Sequence, residues 1–91
     1  MSLWHWDIRG HGTFDALAFF GTNHVNRHTH VLASICENSQ PEGEPLDFPF
    51  MGAATMRIAN IVPRDDGNVD LRIEVGWDND LNLRILFAIF D

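Results

Sequence analysis

Apolar and polar side chains alternate most clearly over the stretch from Asp70 to Trp77. The apolar positions in it are Leu71, Ile73, Val75 and Trp77. Because successive side chains of a strand point to opposite faces, this period of two predicts a half-buried β-strand. The stretch before it, Ala53 to Val62, also alternates, and its predicted faces are Met56, Ile58, Asn60 and Val62 against Arg57, Ala59 and Ile61. The turn-forming residues from Pro63 to Asn68 join the two stretches, which are therefore predicted to form a hairpin.

The last stretch, Asn82 to Phe90, follows the Asp78–Asn79–Asp80 turn and is apolar on both faces. One face carries Leu83, Ile85, Phe87 and Ile89, and the other carries Arg84, Leu86, Ala88 and Phe90. A strand of this kind is either central in a two-layer sandwich or covered on its second face by another subunit. We therefore expect the chain to associate with copies of itself.

The first half predicts further strands. His30 to Glu37 alternates, and so does Thr13 to Phe20, although Asp15 to Phe20 is also compatible with a helical turn. Trp4 and Trp6, in the N-terminal segment 1–12, are spaced to share one face of a strand. Three prolines interrupt the segment 38–52, which is predicted to be a long loop without regular structure. The sequence thus predicts a single all-β domain, a small antiparallel β-sandwich of about six strands or a barrel.

Length and charge narrow the functions that this domain can have. The chain has 91 residues, enough for one domain, and 13 acidic residues against 6 basic ones give a net charge of −7. This charge repels nucleic acid, which we exclude as a partner. The single cysteine, Cys36, cannot form an internal disulfide. Neither a signal peptide nor a membrane-spanning run is apparent, so we expect a soluble protein without membrane insertion, and its localisation stays open.

The five histidines all lie in the first third of the chain and suggest a metal site. In an extended chain, His28 and His30 place two imidazoles on one face, at a spacing that a zinc or iron ion can bridge. Cupins use such a pair together with a nearby Glu and a later His. Here Glu37 is seven positions after His30 and no His follows it, so the pattern is incomplete and we expect no bound metal.

Other candidate chemistries are also incomplete. Asp78, Asp80 and Asn82 occupy alternate positions of an apparent calcium loop, but Leu83 and Ile89 stand where such a loop needs Gly and Glu. Cys36 lies in an apolar strand, where a thiol is usually inert. We therefore expect neither a catalytic residue nor a cofactor, and a protein that is not an enzyme.

Trp77 is the most informative single residue. It ends an alternating strand beside an acidic, amide-rich turn, so an indole face lies next to hydrogen-bonding groups, as in many sugar sites. Its phase with Leu71, Ile73 and Val75 equally allows a place in the core. The sequence leaves both interpretations open.

The second half of the chain resembles an H-type lectin domain. The resemblance rests on five segments, Val31–Ile35, Met56–Ile58, Asp66–Val69, Gly76–Asp78 and Leu83–Ile89, in the family's order over about 60 residues. It implies a six-stranded sandwich assembled as a homotrimer, or a dimer of trimers, around the final strands. It further implies metal-free sites for N-acetylgalactosamine or related sugars between subunits, where Arg57 contacts sugar or a neighbouring subunit and Trp77 and Asp78 form the walls.

Three hypotheses follow. In the first, the chain is a non-catalytic, carbohydrate-binding domain that gains avidity from its copies. In the second, it is a structural or assembly module, such as a phage or surface-fibre component, without sugar binding. In the third, it is a cupin-like metal protein built on His28 and His30.

Overall fold

The computed structural model describes residues 1–91 and is all-β, as the alternation predicts. It has seven strands rather than about six. They are β1 (Ser2–Gly10), β2 (Gly12–Phe19), β3 (His30–Ser39), β4 (Phe48–Phe50), β5 (Met56–Pro63), β6 (Asn68–Val75) and β7 (Leu81–Phe90). The strand interpretation of the stretch after Thr13 is confirmed, and so is the strand that carries Trp4 and Trp6. None of the chain forms an apolar helix of the length that crossing a bilayer requires.

The strands form two antiparallel sheets packed as a small sandwich. Sheet A has the order β1-β7-β3-β4, and sheet B has the order β2-β6-β5. The predicted hairpin is β5–β6, and its turn contains Gly67 at φ +85°. A side chain at this position would clash with the backbone of Gly21, whose N–H donates to the Gly67 carbonyl at 3.1 Å. This glycine therefore brings the hairpin turn against the loop that follows β2.

The core lies between the two central strands, β6 and β7. Each contributes four inward side chains, and all eight are at most 3% exposed. They are Val69, Leu71, Ile73 and Val75 from β6, and Leu83, Ile85, Phe87 and Ile89 from β7. Because β6 and β7 are consecutive but belong to different sheets, the segment 76–80 has to cross from one sheet to the other.

The predicted faces of β5 are wrong beyond Ile58. A bulge between Ile58 and Asn60 shifts the register by one residue, so Asn60 pairs with Arg72 and Ile61 pairs with Leu71. An extra residue in one strand reverses the side of every residue after it. Ile61 consequently packs on the core, while Val62 points outward and is half exposed.

The prediction that segment 38–52 lacks regular structure is also wrong in part. Phe48–Phe50 forms β4, which pairs with the end of β3 from Glu37 to Ser39. The physical reason is Asn38, a buried side chain whose Oδ1 accepts the Phe48 N–H at 2.9 Å and whose Nδ2 donates to the Leu46 carbonyl at 3.3 Å. One buried side-chain amide thus satisfies backbone hydrogen-bonding groups of the loop at both Leu46 and Phe48.

A buried cation ties the same loop to sheet A. Arg84 of β7 is 9% exposed, and its Nε and Nη2 donate to the Asp7 carboxylate at 2.7 and 3.0 Å. Its Nη1 donates to Asp47 in the loop. These bonds lower the pKa of Asp7, mainly through the hydrogen bond from Arg84. A nearly buried guanidinium is stable only while its partners remain ionised and in place.

The burial of Arg84 predicts that losing its acidic partner lowers the melting temperature more than losing the acidic partner of the exposed Arg72. Asp7→Asn removes the charge that neutralises a buried guanidinium, so we expect the melting temperature to fall by about 5–10 °C. Asp15→Asn removes the same kind of bidentate partner from Arg72, but both of those side chains are mostly exposed, so we expect little change. Thermal unfolding followed by circular dichroism checks this, and equal shifts for the two variants would contradict the structural role of Arg84.

Candidate functional site

Trp77 lies in the crossover between the two sheets and not in the core. β6 ends at Val75, and the Gly76 N–H donates to the Thr55 carbonyl at 2.7 Å, which holds the chain as it leaves the sheet. The indole is 44% exposed. Asp78 follows it, exposed, and accepts a hydrogen bond only from Asn79 at 3.1 Å. An accessible aromatic face therefore stands beside a carboxylate with spare acceptor capacity.

Arg57 lies on the outer face of sheet B, at the end where Trp77 leaves it. It is opposite Glu74 in the ladder and donates to that carboxylate through Nε at 2.7 Å and Nη2 at 3.2 Å. These bonds raise the pKa of Arg57 and lower the pKa of Glu74. No hydrogen bond or ion pair joins Arg57 to Trp77 or Asp78, and none of the principal cavities is lined by these three residues. Within one chain, Arg57 is paired with Glu74, three residues before Trp77, but the three side chains do not line a common cavity.

The histidines do not converge on a metal centre. His28 lies in the loop after β2 and accepts from Arg27 Nε at 3.3 Å, while His30 begins β3 opposite Phe90. No group of three or more His, Cys, Asp or Glu side chains lies in an arrangement that could hold a metal ion. The third ligand that a cupin-like centre needs is therefore not brought to this pair.

One end of the sandwich carries a polar cup of about 300 Å³ that sequence reasoning missed. Its walls come from the loop between β2 and β3 and from the end of β7, with His24, Asn26, His28 and Asp91 among them. His24 Nδ1 donates to Asp91 Oδ2 at 2.5 Å, and Ser2 Oγ donates to the same oxygen at 2.9 Å. These hydrogen bonds lower the pKa of Asp91 to about 2.

The outer face of sheet A carries an exposed apolar patch. Strand register places Ala88 between Leu3 of β1 and Leu32 of β3. Leu86 and Phe90 lie on the same face of β7, two residues before and two residues after Ala88. The four large side chains are between 46% and 75% exposed. We call these five residues the outer apolar face. Small residues around Ala88 leave a shallow hollow of about 240 Å³ between the leucines.

The outer face of sheet B combines charged and apolar side chains. Three exposed apolar residues lie on it, Leu17, Phe19 and Val62. Two bidentate ion pairs cross it, Arg57 with Glu74 and Arg72 with Asp15. An antiparallel sheet commonly keeps one face in the core and one face with charged side chains in water, and the ion pairs of sheet B fit this pattern. Sheet A differs, because the exposed apolar side chains around Ala88 form a patch that no ion pair interrupts. The two-sided apolar character predicted for the last strand is therefore present, and its second face is open.

Comparison of the chain with models of protein families, with curated proteins and with solved structures gave no match. Its functional interpretation therefore rests on the surfaces described above.

The Asp91 hydrogen bonds predict a pH dependence. Because the pKa of Asp91 in the folded protein is about 2, below its ordinary value of 3.8, Asp91 stabilises the fold above pH 3.8. This contribution is lost as the pH falls from 3.8 towards 2. We expect the melting temperature of Asp91→Asn to change less than that of the wild type between pH 5 and pH 2.

Melting curves of both proteins at half-unit pH steps check this expectation. Asp66→Asn is the comparison variant, because the pKa of Asp66 is also lowered, but by hydrogen bonds within its own turn. It shows the pH dependence that comes from a carboxylate held locally and not by His24 and Ser2. Identical pH profiles for wild type and Asp91→Asn would show that His24 and Ser2 do not hold the ionised carboxylate.

Proposed function

We propose that the chain is a non-catalytic assembly module that associates with copies of itself through the outer apolar face of sheet A. The observation that carries the proposal is the patch of four exposed large apolar side chains around Ala88, which no ion pair interrupts, whereas two ion pairs cross the outer face of sheet B. A contiguous apolar patch of this kind on a small domain commonly marks an interaction surface.

The size of the patch suits an interface between copies. Taking about 200 Å² for each fully exposed large side chain, its four large residues present on the order of 450 Å². A stable interface needs roughly 800 Å² per partner. The neighbouring side chains of the same face, His5, His30, Ser34 and Cys36, provide the rim that extends the patch towards that value.

The charge distribution favours a second copy as the occupant. Two copies of a chain with a net charge of −7 repel each other over most of their surfaces. The outer apolar face has no carboxylate of its own, and Asp7 at its end is paired with Arg84. Copies that meet through this face avoid the repulsion and bury apolar area. The resemblance to H-type lectins sets the expected number of copies at three.

A substitution on each outer face tests this proposal. Leu86→Arg places a cation in the patch, and we expect it to convert an oligomer into a monomer of 10.3 kDa. Val62→Arg is the matched control, because Val62 is 49% exposed on sheet B and Leu86 is 46% exposed on sheet A. Light scattering after size-exclusion chromatography measures the masses. A wild-type monomer, or equal effects of the two substitutions, would refute the proposal.

Carbohydrate binding is the second candidate function, and the exposed Trp77 indole beside the turn 78–80 supports it. A pyranose stacks its C–H face on an indole while carboxylates and amides take its hydroxyls. Arg57, at the same end of sheet B, adds a donor. Single sites of this kind are shallow and weak, so useful avidity would come from the assembled copies.

Calorimetric titration with N-acetylgalactosamine and related sugars, supported by a glycan array, tests this second function. We expect Trp77→Ala to weaken binding at least tenfold, since the stacking surface is lost. Phe48→Ala removes an aromatic side chain of similar exposure elsewhere and should leave binding unchanged. No response across a broad sugar panel would leave the assembly function alone.

A further inference from the structure

The sandwich is open along the side where β1 and β2 lie. β1 is an edge strand of sheet A and β2 is an edge strand of sheet B. They follow each other along the chain, but β1 hydrogen bonds to β7 and β2 hydrogen bonds to β6. A cavity of about 290 Å³ lies along this open side, and seven of its eight lining residues are hydrophobic. We call it the aromatic slot.

Aromatic rings form the walls of the slot. Trp4 and Trp6 are opposite Phe87 and Ile85 in the ladder and so share their inward face. Phe20 packs edge-to-face against Trp4, with ring centroids 5.2 Å apart, and against Phe87, with centroids 4.9 Å apart. The Trp4 indole N–H donates to the Ser2 hydroxyl at 3.0 Å, which fixes its orientation. The walls are thus preformed by packing and by a hydrogen bond.

These walls remain accessible from solvent. Trp4 is 38% exposed, although its side chain points between the sheets, and Trp6 is only partly buried. The indole N–H of Trp6 makes no hydrogen bond within the protein, so a donor is free next to the apolar walls. Binding sites for small molecules combine these features, a concave apolar lining and a few unused polar groups.

We propose that the aromatic slot binds a small, uncharged, planar aromatic molecule of about two fused rings. A cavity of roughly 150 Å³ suffices for benzene, and the slot is about twice that size. Rings in edge-to-face or offset contact with Trp4 and Phe20 extend the stacking already present. His5 is the only polar lining residue, so no ion pair is available to a charged ligand, and the net charge of −7 disfavours an anion.

The test uses 2-naphthol as the probe and the three indole N–H signals of ¹⁵N-labelled protein as the readout. Single Trp→Phe variants assign the signals. We expect saturable shifts for Trp4 and Trp6 on titration, while Trp77, at the crossover, serves as an internal reference that does not shift. Shifts of all three signals, or of Trp77 alone, would place the probe elsewhere and overturn the proposal.

A pair of matched substitutions locates the probe. Ala18→Leu fills the slot, and we expect the probe to bind at least tenfold more weakly. Ala53→Leu adds the same side chain at an exposed position of the loop before β5, outside the slot, and should leave the affinity unchanged. If Ala18→Leu does not fold, Ala18→Val fills less of the slot. The proposal then requires that this variant bind the probe at least threefold more weakly than the wild type.

The same spectra test whether a side chain of a second copy occupies the slot. Indole signals of Trp4 and Trp6 that change with protein concentration, and that no longer respond to probe at high concentration, would assign the slot to contacts between copies. Either that result or a weaker affinity in Ala53→Leu alone would refute small-molecule binding at this position.

Discussion

The fold depends on the packing of two strands that are consecutive in the chain but lie in different sheets. The inward faces of β6 and β7 supply eight almost fully buried side chains, and both strands are central in their sheets. A domain of 91 residues has little other interior, so this contact holds the sandwich together. It also forces the chain to leave sheet B immediately after Val75. Trp77 and Asp78 are exposed because they occupy that crossing.

Sequence periodicity predicted the elements whose environment is uniform along their length. β6 alternates strictly, β7 is apolar along its whole inward face, and the turn around Gly67 has residues that favour one conformation, so the β5–β6 hairpin and the core positions of β6 and β7 were recoverable. The bulge near Asn60 could not be predicted from periodicity, because a bulge is defined by how the strand pairs with its partner strand. Nor could β4, whose three residues include a proline and depend on the buried Asn38.

Long-range pairing explains why the candidate sites were harder to predict than the strands. Arg84 looks like an ordinary outward residue of β7, yet its partners lie 77 and 37 positions away in the chain. The slot forms where the edge strand β1 lies beside the end of β2, and the polar cup forms where the loop after β2 meets the end of β7. Arg57 and Trp77 were grouped as site residues only through the resemblance to H-type lectins, and the exposure of Trp77 follows from where β6 ends.

The pairing of β1 with β7 has a further consequence. Ser2 is opposite Ile89 in the ladder, so the first and last strands begin and end at the same corner of the sandwich. Joining the two ends by a few residues would therefore make a circular permutant without stretching either strand. For the same reason, the whole sandwich would fit as an insert into a surface turn of a host protein, which would need to open that turn by little more than the separation of two paired strands.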